Sequence, residues 1–306
     1  MKQSSLFSYS KNHGLKKGTK VVDLFCGIGG FSCGASQAGH EVVLAVDSDP
    51  FLLGAHVRNH INTQHWCCEL PRDDLPLPTS GDWHLHASPP CTKLSIMQPH
   101  QYAHEKKHAV DLVTWFFELV KSSKPTSWSF EQVNHERIRE QLEELKSKKP
   151  MVFDWIVVDA VNYEVAQNRK RIIAGSPFLI ANLRNFKSKK RRMCVRDVIS
   201  EPPMPFIRNN LYSRPDEKTH EMKAVPLKDQ LRSVEEPSYT ILATGHKRWS
   251  DAKGNVLRHL TGAEGAIIQS FPEDYKLPWS PTHALVGVGN AIPPRLVEIL
   301  MQSTVR

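Results

Sequence analysis

Residues 20–31 read K-V-V-D-L-F-C-G-I-G-G-F, a β-branched apolar run that leads directly into a glycine-rich turn. A stretch that favours a helix follows at residues 31–38 and stops at Gly39. Glycines let the backbone approach a ligand, and the amides at a helix N-terminus favour polar or anionic groups. The pattern therefore predicts a strand, a glycine loop and a helix, a common nucleotide-binding unit. Ser32 occupies the last glycine position of the GxGxxG pattern, which counts against a dinucleotide.

Strands and helices continue to alternate beyond this unit. Asp47 closes the second predicted strand, and Pro50 opens the helix that follows. The alternation predicts an α/β fold with a doubly wound, mostly parallel sheet and helices on both faces. The predicted strands lie at residues 20–25, 41–46, 83–87, 126–130, 155–161 and 171–174, and the predicted helices at 31–38, 50–59, 109–120, 260–269 and after 294.

The net charge of +8 over 306 residues is confined to one part of the chain. Residues 180–260 carry 17 Lys and Arg against 9 Asp and Glu, whereas residues 1–179 and 261–306 have net charges of +1 and −1. This pattern predicts a near-neutral domain with a basic insert that contacts a polyanion. The expected units are a polar leader at 1–19, a main domain formed by 20–180 and 258–306, and a small, basic, irregular domain at 181–257.

Simple counts disfavour three other classes of protein. No apolar run reaches the roughly 18–20 residues that span a bilayer, and residues 1–20 lack the apolar core of a signal peptide. The six cysteines are unevenly spaced and form no CxxC pair, so the sequence favours neither a disulfide framework nor a zinc site. We expect a reducing compartment, no membrane and no metal.

A candidate nucleophile follows the strand at 83–87, in the sequence Pro89-Pro90-Cys91. That strand is expected to end at the carboxyl edge of the sheet, where doubly wound folds bind their ligands. A cysteine there can act as a thiolate if nearby positive charge lowers its pKa, although free cysteines are more often buried structural residues. Asp47 either hydrogen-bonds the ribose hydroxyls of a nucleotide or is an aspartate exposed to solvent. The residues alone leave both interpretations open.

Seven short motifs, in order and at family-like spacing, resemble the DNA cytosine-5 methyltransferase family. They span roughly residues 21–299, nearly the whole chain. The resemblance implies a Rossmann-like methyltransferase sheet with a small target-recognition domain. The motifs are DLFCGIGGF at 23–31, VDSD at 46–49, SPPC at 88–91, FEQV at 130–133, QNRKR at 167–171, the stretch 260–275 that ends QSFPEDY, and GNAIPP at 289–294.

The resemblance implies a chemistry in which four residues act on the ring of a target cytosine. Cys91 is the implied thiolate that attacks C6, since cytosine C5 is a poor nucleophile until the ring is activated. Glu131 is implied to protonate or hydrogen-bond N3, which requires a carboxyl group that burial keeps partly protonated. Arg171 is implied to stabilise the charge on O2, and Arg169 to orient Glu131 and the ring.

The same resemblance implies S-adenosylmethionine as the methyl donor, with S-adenosylhomocysteine as the product. The residues implied to bind this cofactor come from the glycine loop, the ends of the next strands and the last motif. They are Asp23, Phe25, Gly27, Gly29, Gly30, Asp47, Ser48, Glu69, Pro89, Asn290 and Ala291.

Double-stranded DNA is the implied partner, and its target base has to be flipped out of the stack to reach the nucleophile. The basic segment lies where this family has its variable recognition domain. A solvated charge run and a nuclear-import signal are the alternatives for residues 187–192. The residues expected to contact DNA are Pro90, Lys93, Ser95, Gln167, Lys189, Lys190, Arg191 and Arg192.

Several residues depart from the family pattern, although the central catalytic positions are kept. Gln132 replaces the usual Asn, Thr92 the usual Gln after the nucleophile, and Ala263 the usual Arg before Glu264. The loop after Cys91 also lacks the usual glycine. These departures leave open the closure of the loop, the stabilisation of a flipped base and the catalytic rate.

Two functions compete with DNA cytosine-5 methylation: the same chemistry on transfer RNA, and a catalytically weak DNA-binding homologue. The signature of the transfer-RNA enzymes around the Pro-Cys motif is absent, and a pure binder has no need for all three catalytic side chains. We expect a cytoplasmic monomer, nucleoid-associated in a prokaryote or phage-infected cell and nuclear in a eukaryote. A cognate restriction endonuclease is one further candidate partner.

Overall fold

The structure is a computed structural model of the chain. It describes residues 14–90, 103–148, 151–209, 213–215, 222–245 and 247–302, without the side chains of 103–111, 213–215 and 222.

A seven-stranded sheet forms the centre of the fold and confirms the predicted α/β class. Its strands are β1 (Lys20–Leu24), β2 (Glu41–Asp47), β3 (Gln64–Cys67), β4 (Trp83–Ala87), β5 (Ser127–Val133), β6 (Asp154–Asp159) and β7 (Lys170–Gly175). The order across the sheet is β3-β2-β1-β4-β5-β7-β6. Every pair is parallel except the two made by β7, which runs antiparallel to both of its neighbours.

Helices cover both faces of this sheet, as the alternating pattern predicts. The helices of the described residues are α1 (Gly30–Gln37), α2 (Pro50–Asn59), α3 (Ala103–Ser123), α4 (Glu136–Ser147), α5 (Pro177–Asn185), α6 (Val195–Val198), α7 (Leu227–Gln230), α8 (Gly262–Ile268), α9 (Pro281–Asn290) and α10 (Pro294–Met301), with a 3-10 turn at Ala160–Tyr163; α6 and α7 lie in the basic insert. Phe116 and Phe117 of α3 pack on Trp128 and Phe130 of β5 on one face. On the other face, α1, α5 and α10 bury an aliphatic cluster against β1 and β2.

The basic insert contains more regular structure than its composition predicts. Its strands are β8 (Phe206–Asn209), β9 (Ser213–Pro215), β10 (Met222–Ala224), β11 (Leu231–Ser233), β12 (Lys247–Ser250) and β13 (Val256–His259). Four of them form an antiparallel sheet in the order β11-β8-β12-β13, and β9 pairs with β10. The expectation of an irregular domain is therefore wrong for this part, because strands of three or four residues are too short to show an alternating pattern.

Regular elements cross both boundaries expected for the insert. Helix α5 runs through residue 180, and its Leu179, Ile180 and Leu183 are buried in the same cluster as α10. The helix therefore packs with α10 on the same face of the central sheet. At the other end, β13 continues past residue 257.

One stretch, Pro281–Met301, is long and apolar enough by composition alone to cross a membrane, with a mean hydropathy of 1.3. This differs from the expectation that no apolar run has that length. The stretch comprises α9 and α10, which a proline-containing turn separates, and 67% of its apolar 18-residue window is buried within the fold. Helix α10 packs on α1 and α5, and α9 packs on α2 and α8, as core helices do.

The contact between α1 and α10 depends on the absence of a side chain at Gly34. A Cβ there would overlap the carbonyl oxygen of Pro294 and lie 2.6 Å from the Cβ of Val297. We expect Gly34→Ala to lower the free energy of unfolding by about 1–3 kcal/mol, the usual cost of overpacking, as measured by urea denaturation.

Gly54→Ala is the matched control, because Gly54 also lies inside a helix but has open space around it. The nearest atom to a Cβ at Gly54 is Nη1 of Arg58, at 4.0 Å. Alanine is the better helix former, so we expect this change to raise the free energy of unfolding by about 0.5–1 kcal/mol. Equal effects of the two substitutions would contradict the close approach of α1 and α10.

Candidate functional site

A cleft opens at the carboxyl ends of β1, β2, β4 and β5. The space that it encloses, open solvent included, is about 990 Å³. Residues from the glycine loop, both Pro-Cys prolines and the last motif share its walls. The predicted site residues that line it are Asp23, Phe25, Gly27, Gly30, Asp47, Ser48, Pro89, Pro90, Glu131, Arg171, Asn290 and Ala291.

Asp47, the last residue of β2, holds the glycine loop in position. Its carboxylate accepts hydrogen bonds from the backbone N–H groups of Gly27, at 2.8 Å, and Asp49, at 2.9 Å. Burial raises the pKa of Asp47, and these two hydrogen bonds oppose that rise. Asp47 is therefore part of the cleft wall, and the interpretation as a freely solvated aspartate is wrong.

Asp23 of β1 is a buried acid with one unused carboxylate oxygen. Its Oδ2 accepts a hydrogen bond from the hydroxyl of Ser32 at 2.7 Å, whereas Oδ1 has no hydrogen-bond partner among the described residues. Burial raises the pKa of Asp23 to about 7. Asp23 is one of the residues that line the cleft, and its unpartnered Oδ1 is almost completely buried there. Such an acceptor is the kind of group that a donor on a bound ligand can satisfy.

Glu131 and Arg171 also line the cleft, where they form a buried ion pair. Nε of Arg171 lies 2.9 Å from Oε1 of Glu131, and the two side chains are only 14% and 7% exposed. Burial raises the pKa of Glu131, while the charges of Arg171 and Arg169 partly offset that effect. A carboxyl group in this environment takes up a proton more readily than an exposed glutamate does.

Arg169 joins distant parts of the chain beneath the cleft. Its guanidinium is 1% exposed and donates to the carbonyl oxygens of Ile241, at 3.0 Å, and Gly289, at 2.8 Å. These hydrogen bonds go to backbone carbonyls, and the charge of Arg169 also acts on Glu131, whose pKa it lowers against the larger effect of burial. That Arg169 orients Glu131 stays a prediction. Two elements far apart in the sequence are tied together by this one side chain.

Gln132, next to Glu131 in β5, bonds the backbone of Pro89, two residues before the predicted nucleophile. Its Nε2 donates to the carbonyl oxygen of Pro89 at 3.1 Å, and its Oε1 accepts from the N–H of Val133 at 2.8 Å. The side chain is 2% exposed. Gln132, which stands where the family usually has Asn, thus holds Pro89 with its amide N–H and Val133 with its amide oxygen.

Three predicted residues lie away from the cleft. Glu69 is exposed and does not line it. Gln167 is buried and bonds the side chain of Gln269 and the N–H of Ile241, so it contributes to packing between segments rather than to an open surface. Gly29 faces away from the cleft, toward helix α2.

The predicted nucleophile and two of the predicted DNA contacts come from the stretch of sequence just after Pro90. Cys91, Lys93 and Ser95 lie outside the described residues, so their roles stay predictions. Pro90, directly before the nucleophile, is exposed and lines the cleft.

The basic run at 187–192 makes contacts within the chain as well as facing solvent. Lys190 and Arg191 are each 69% exposed despite these contacts, so both remain accessible to a phosphate. Lys189 and Arg192 are exposed too. The contacts are Lys190 with Glu164 (3.9 Å), Arg191 with Asp197 (2.7 Å) and Arg192 with Asn162 (3.3 Å).

Sequence reasoning missed a chain of hydrogen-bonded side chains beneath the cleft, on the α1 face of β4 and β5. His84 contacts Ser127 and Ser129, and His86 contacts Ser129 and Ser88, at distances of 2.7–2.9 Å. Burial lowers the pKa of His84 to about 3 and that of His86 well below its usual value, so both rings are neutral. The available signal was polar residues at alternate positions of two apolar strands.

Comparison with known proteins gives one consistent family. A family model described as C-5 cytosine-specific DNA methylase matches residues 19–306. The Type II methyltransferase M.HgiDI of Herpetosiphon aurantiacus is 28% identical over 303 residues, which covers 93% of each chain. The Type II methyltransferase M.FnuDI of Fusobacterium nucleatum is 23% identical over 333 residues, or 92% of each chain.

Two solved structures are similar to this fold. One is described as a DNA modification methyltransferase encoded within an E. coli prophage, with a TM-score of 0.64, 18% identity, and coverage of 92% of this chain and 97% of that chain. The other is a mutant of DNMT2 from Spodoptera frugiperda, with a TM-score of 0.59, 17% identity, and coverage of 93% and 100%. At these identities the likeness shows the fold alone.

Removing the guanidinium of Arg169 tests whether that side chain holds the structure together. Arg169→Met deletes both hydrogen bonds and leaves the carbonyls of Ile241 and Gly289 buried without that donor. We expect the free energy of unfolding to fall by about 2–4 kcal/mol, as measured by urea denaturation.

Arg171→Met is the matched control for that experiment. Its effect on the free energy of unfolding should be smaller, because Glu131 can take up a proton once its partner is gone. Equal decreases in the two variants would contradict the separate roles of the two arginines.

Proposed function

Since the chain belongs to the C-5 cytosine-specific DNA methylase family, we propose that it transfers a methyl group to C5 of a cytosine flipped out of double-stranded DNA. The names of its relatives, which are Type II methyltransferases, support DNA as the substrate. They also support a cognate restriction endonuclease as a partner. We further propose that the protein acts as a monomer in the cytoplasm, in association with the nucleoid.

The residues of the cleft fit S-adenosylmethionine, the methyl donor that this family implies. The unpartnered Oδ1 of Asp23 suits the cationic amino-acid end of that molecule, and Asp47 suits its ribose hydroxyls. Phe25 and Pro89 offer apolar surface in the same cleft. Asn290 completes the polar lining. When bound, S-adenosylmethionine supplies an electrophilic methyl group.

We assign the nucleophile to Cys91, whose thiolate adds to C6 of the cytosine. The electrons of the ring then shift toward N3 and O2, which makes C5 nucleophilic. Glu131 donates a proton to N3, a role that its burial and raised pKa support. Arg171 stabilises the charge on O2. As C5 takes up the methyl group, N3 returns its proton to Glu131. A base then removes the C5 proton, and the thiolate of Cys91 leaves by elimination.

The observation that carries this proposal is the buried pair of Glu131 and Arg171 in the wall of the same cleft as the glycine loop. A carboxyl group with a raised pKa and a guanidinium beside it can serve a ring that gains negative charge on adjacent atoms. Gln132 holds Pro89 by a hydrogen bond, and Pro89 and Pro90, the two residues before Cys91, line the same cleft.

Tritiated S-adenosylmethionine offered with duplex DNA or with transfer RNA is the direct test. We expect label in duplex DNA only, no label with Cys91→Ser, and a fall in kcat of about 100-fold or more with Glu131→Gln. The rate should decline as the pH rises through the pKa of Glu131, because the protonated form is the donor. Glu136→Gln, an exposed glutamate nearby, is the matched control and should leave kcat unchanged.

Each outcome of this experiment decides between the competing functions. Label in transfer RNA alone would favour the RNA enzyme and exclude DNA methylation. DNA binding without label in either substrate would favour the catalytically weak DNA-binding homologue. Equal labelling by the Cys91→Ser variant would exclude Cys91 as the nucleophile.

The basic run is tested separately through the salt dependence of DNA binding. Each phosphate that a variant no longer neutralises should reduce the slope of log affinity against log salt by about 0.9. We expect a lower slope when Lys189, Lys190, Arg191 and Arg192 are changed to Gln. The control is Lys146→Gln with Lys148→Gln, two exposed lysines near the end of α4. An unchanged slope in the first variant would mean that the run does not contact phosphate.

A further inference from the structure

A chain of four side chains leads from Asp23 toward the protein surface. Ser32 Oγ lies 2.7 Å from Asp23 Oδ2, and His56 Nε2 lies 2.9 Å from Ser32 Oγ. His65 Nε2 in turn lies 2.8 Å from His56 Nδ1. The first three residues are at most 1% exposed, whereas His65, on β3, is partly exposed. This row of four hydrogen-bonded side chains therefore connects the cleft with the partly exposed β3.

The protons of this chain have one possible arrangement while Asp23 is ionised. A carboxylate only accepts hydrogen bonds, so Ser32 has to donate its single hydroxyl proton to Asp23. Ser32 Oγ is then the acceptor for His56, which has to carry its proton on Nε2. Burial keeps the pKa of His56 well below its usual value, so the ring is neutral and its Nδ1 accepts from His65.

The neighbours that hold His56 in this orientation, His60 and Tyr275, also pack against the glycine loop. The ring of His60 lies 4.4 Å from that of His56, and Nε2 of His60 lies 3.3 Å from the hydroxyl of Tyr275. A Cβ at Gly29, where φ is +96°, would lie 2.9 Å from Cδ2 of His56 and 2.6 Å from the Tyr275 oxygen. The loop that lines the cleft thus packs directly on the histidines, which are not arranged to hold a metal ion in the described part of the chain.

The other ionisable groups near Asp23 are acidic or neutral. Burial is the main cause of the raised pKa values of Asp23, Cys26 and Tyr275. Asp47, at the end of β2, adds to the rise for Asp23, and Asp23 adds to the rise for the other two. His86, the register partner of Asp23 on β4, is kept neutral by burial. None of these described groups supplies a positive charge, so the hydrogen bonds from Ser32 are what favours the carboxylate form.

We propose that His56 is a positioning residue that acts through Ser32 to present the free oxygen of Asp23 to the cationic amino-acid end of bound S-adenosylmethionine. The inference rests on the proposed function, because it takes that cofactor as the ligand. By donating to Ser32 Oγ, His56 keeps the hydroxyl proton directed at Asp23 rather than at a carbonyl of its own helix. One carboxylate oxygen is thereby held, and the other is left for the ligand.

The proposal sets the direction in which cofactor affinity depends on pH. The ammonium group of the ligand favours ionised Asp23, whose pKa in the free protein is raised to about 7. Affinity should therefore rise with pH, by up to about tenfold per pH unit below that pKa, and level off above it. Removing a hydrogen bond that favours the carboxylate raises the pKa, so the rise in affinity moves to higher pH.

Isothermal titration with S-adenosylhomocysteine measures this dependence without turnover, since that molecule carries the same amino-acid end. Between pH 6 and 8.5 we expect the unsubstituted protein to show a rise in affinity with its midpoint near pH 7. Ser32→Ala and His56→Leu should move the midpoint up by about one unit, which weakens binding at pH 7 by up to about tenfold. His56→Gln should restore the midpoint, because its Nε2 can donate to Ser32.

His40→Leu is the matched control, because it removes another buried histidine with no link to Asp23. His40 contacts the carbonyl oxygen of Met301 at 2.8 Å, and its removal should leave the midpoint where it is. A decrease in affinity in His56→Leu that is the same at every pH would overturn the proposal and leave a merely structural histidine. A midpoint shift in His40→Leu of the same size would overturn it too.

The proton arrangement gives a readout that holds even if His56→Leu does not fold. Nitrogen-15 NMR of the unsubstituted protein should show His56 as a neutral ring protonated on Nε2, and protonation on Nδ1 would contradict the proposed chain. In that case, the pH dependence of S-adenosylhomocysteine binding is measured with Ser32→Ala alone. Failure of the unsubstituted protein to bind S-adenosylhomocysteine at any pH would count against the proposed function itself, whereas normal binding that does not change with pH would count against the inference alone.

Discussion

The buried ion pair between Glu131 and Arg171 is the interaction on which the cleft depends. Burying two charges costs free energy unless each finds a well-placed partner, and here Nε of Arg171 lies 2.9 Å from Oε1 of Glu131. The pairing follows from the direction of β7, which runs antiparallel between β5 and β6. Arg171, near the start of β7, lies opposite Val133 near the end of β5. A parallel strand would bring its last residues to this edge, and Arg171 would lie at the far side of the sheet.

The two faces of the central sheet are chemically different, and the difference serves the cleft. The face under α3 is aromatic, whereas the face under α1 carries two chains of hydrogen-bonded polar side chains. Burying a polar group costs free energy unless it is hydrogen-bonded, so nearly every polar atom in these two sets of side chains needs a partner. Both chains end at the cleft, one at Asp23 and the other at Ser88. The buried hydrogen bonds therefore hold the cleft residues Asp23 and Ser88 in place.

Local signals in the sequence predict the elements around the glycine loop closely. Strand β1, strand β4 and helix α2 lie within one residue of their predicted ends, because β-branched runs, a proline at the start of a helix and glycines at turns act on the adjacent backbone. The sequence pattern does not predict β3, α4, α5 or α9. It also misses the sheet of the basic insert, whose three- and four-residue strands are shorter than the window in which a period can be seen.

The sequence by itself determined the order of strand, glycine loop and helix, the position of the basic insert and the motifs that identify the family, since each depends on neighbouring residues. Only the tertiary structure decided that Arg169 bonds carbonyls 72 and 120 residues away, that Gln132 holds Pro89, and that one oxygen of Asp23 is left free. These contacts join side chains from distant segments, and no local pattern encodes where such segments meet. The same is true of the raised pKa values of Asp23 and Glu131, because burial is a property of the folded chain and not of any residue in it.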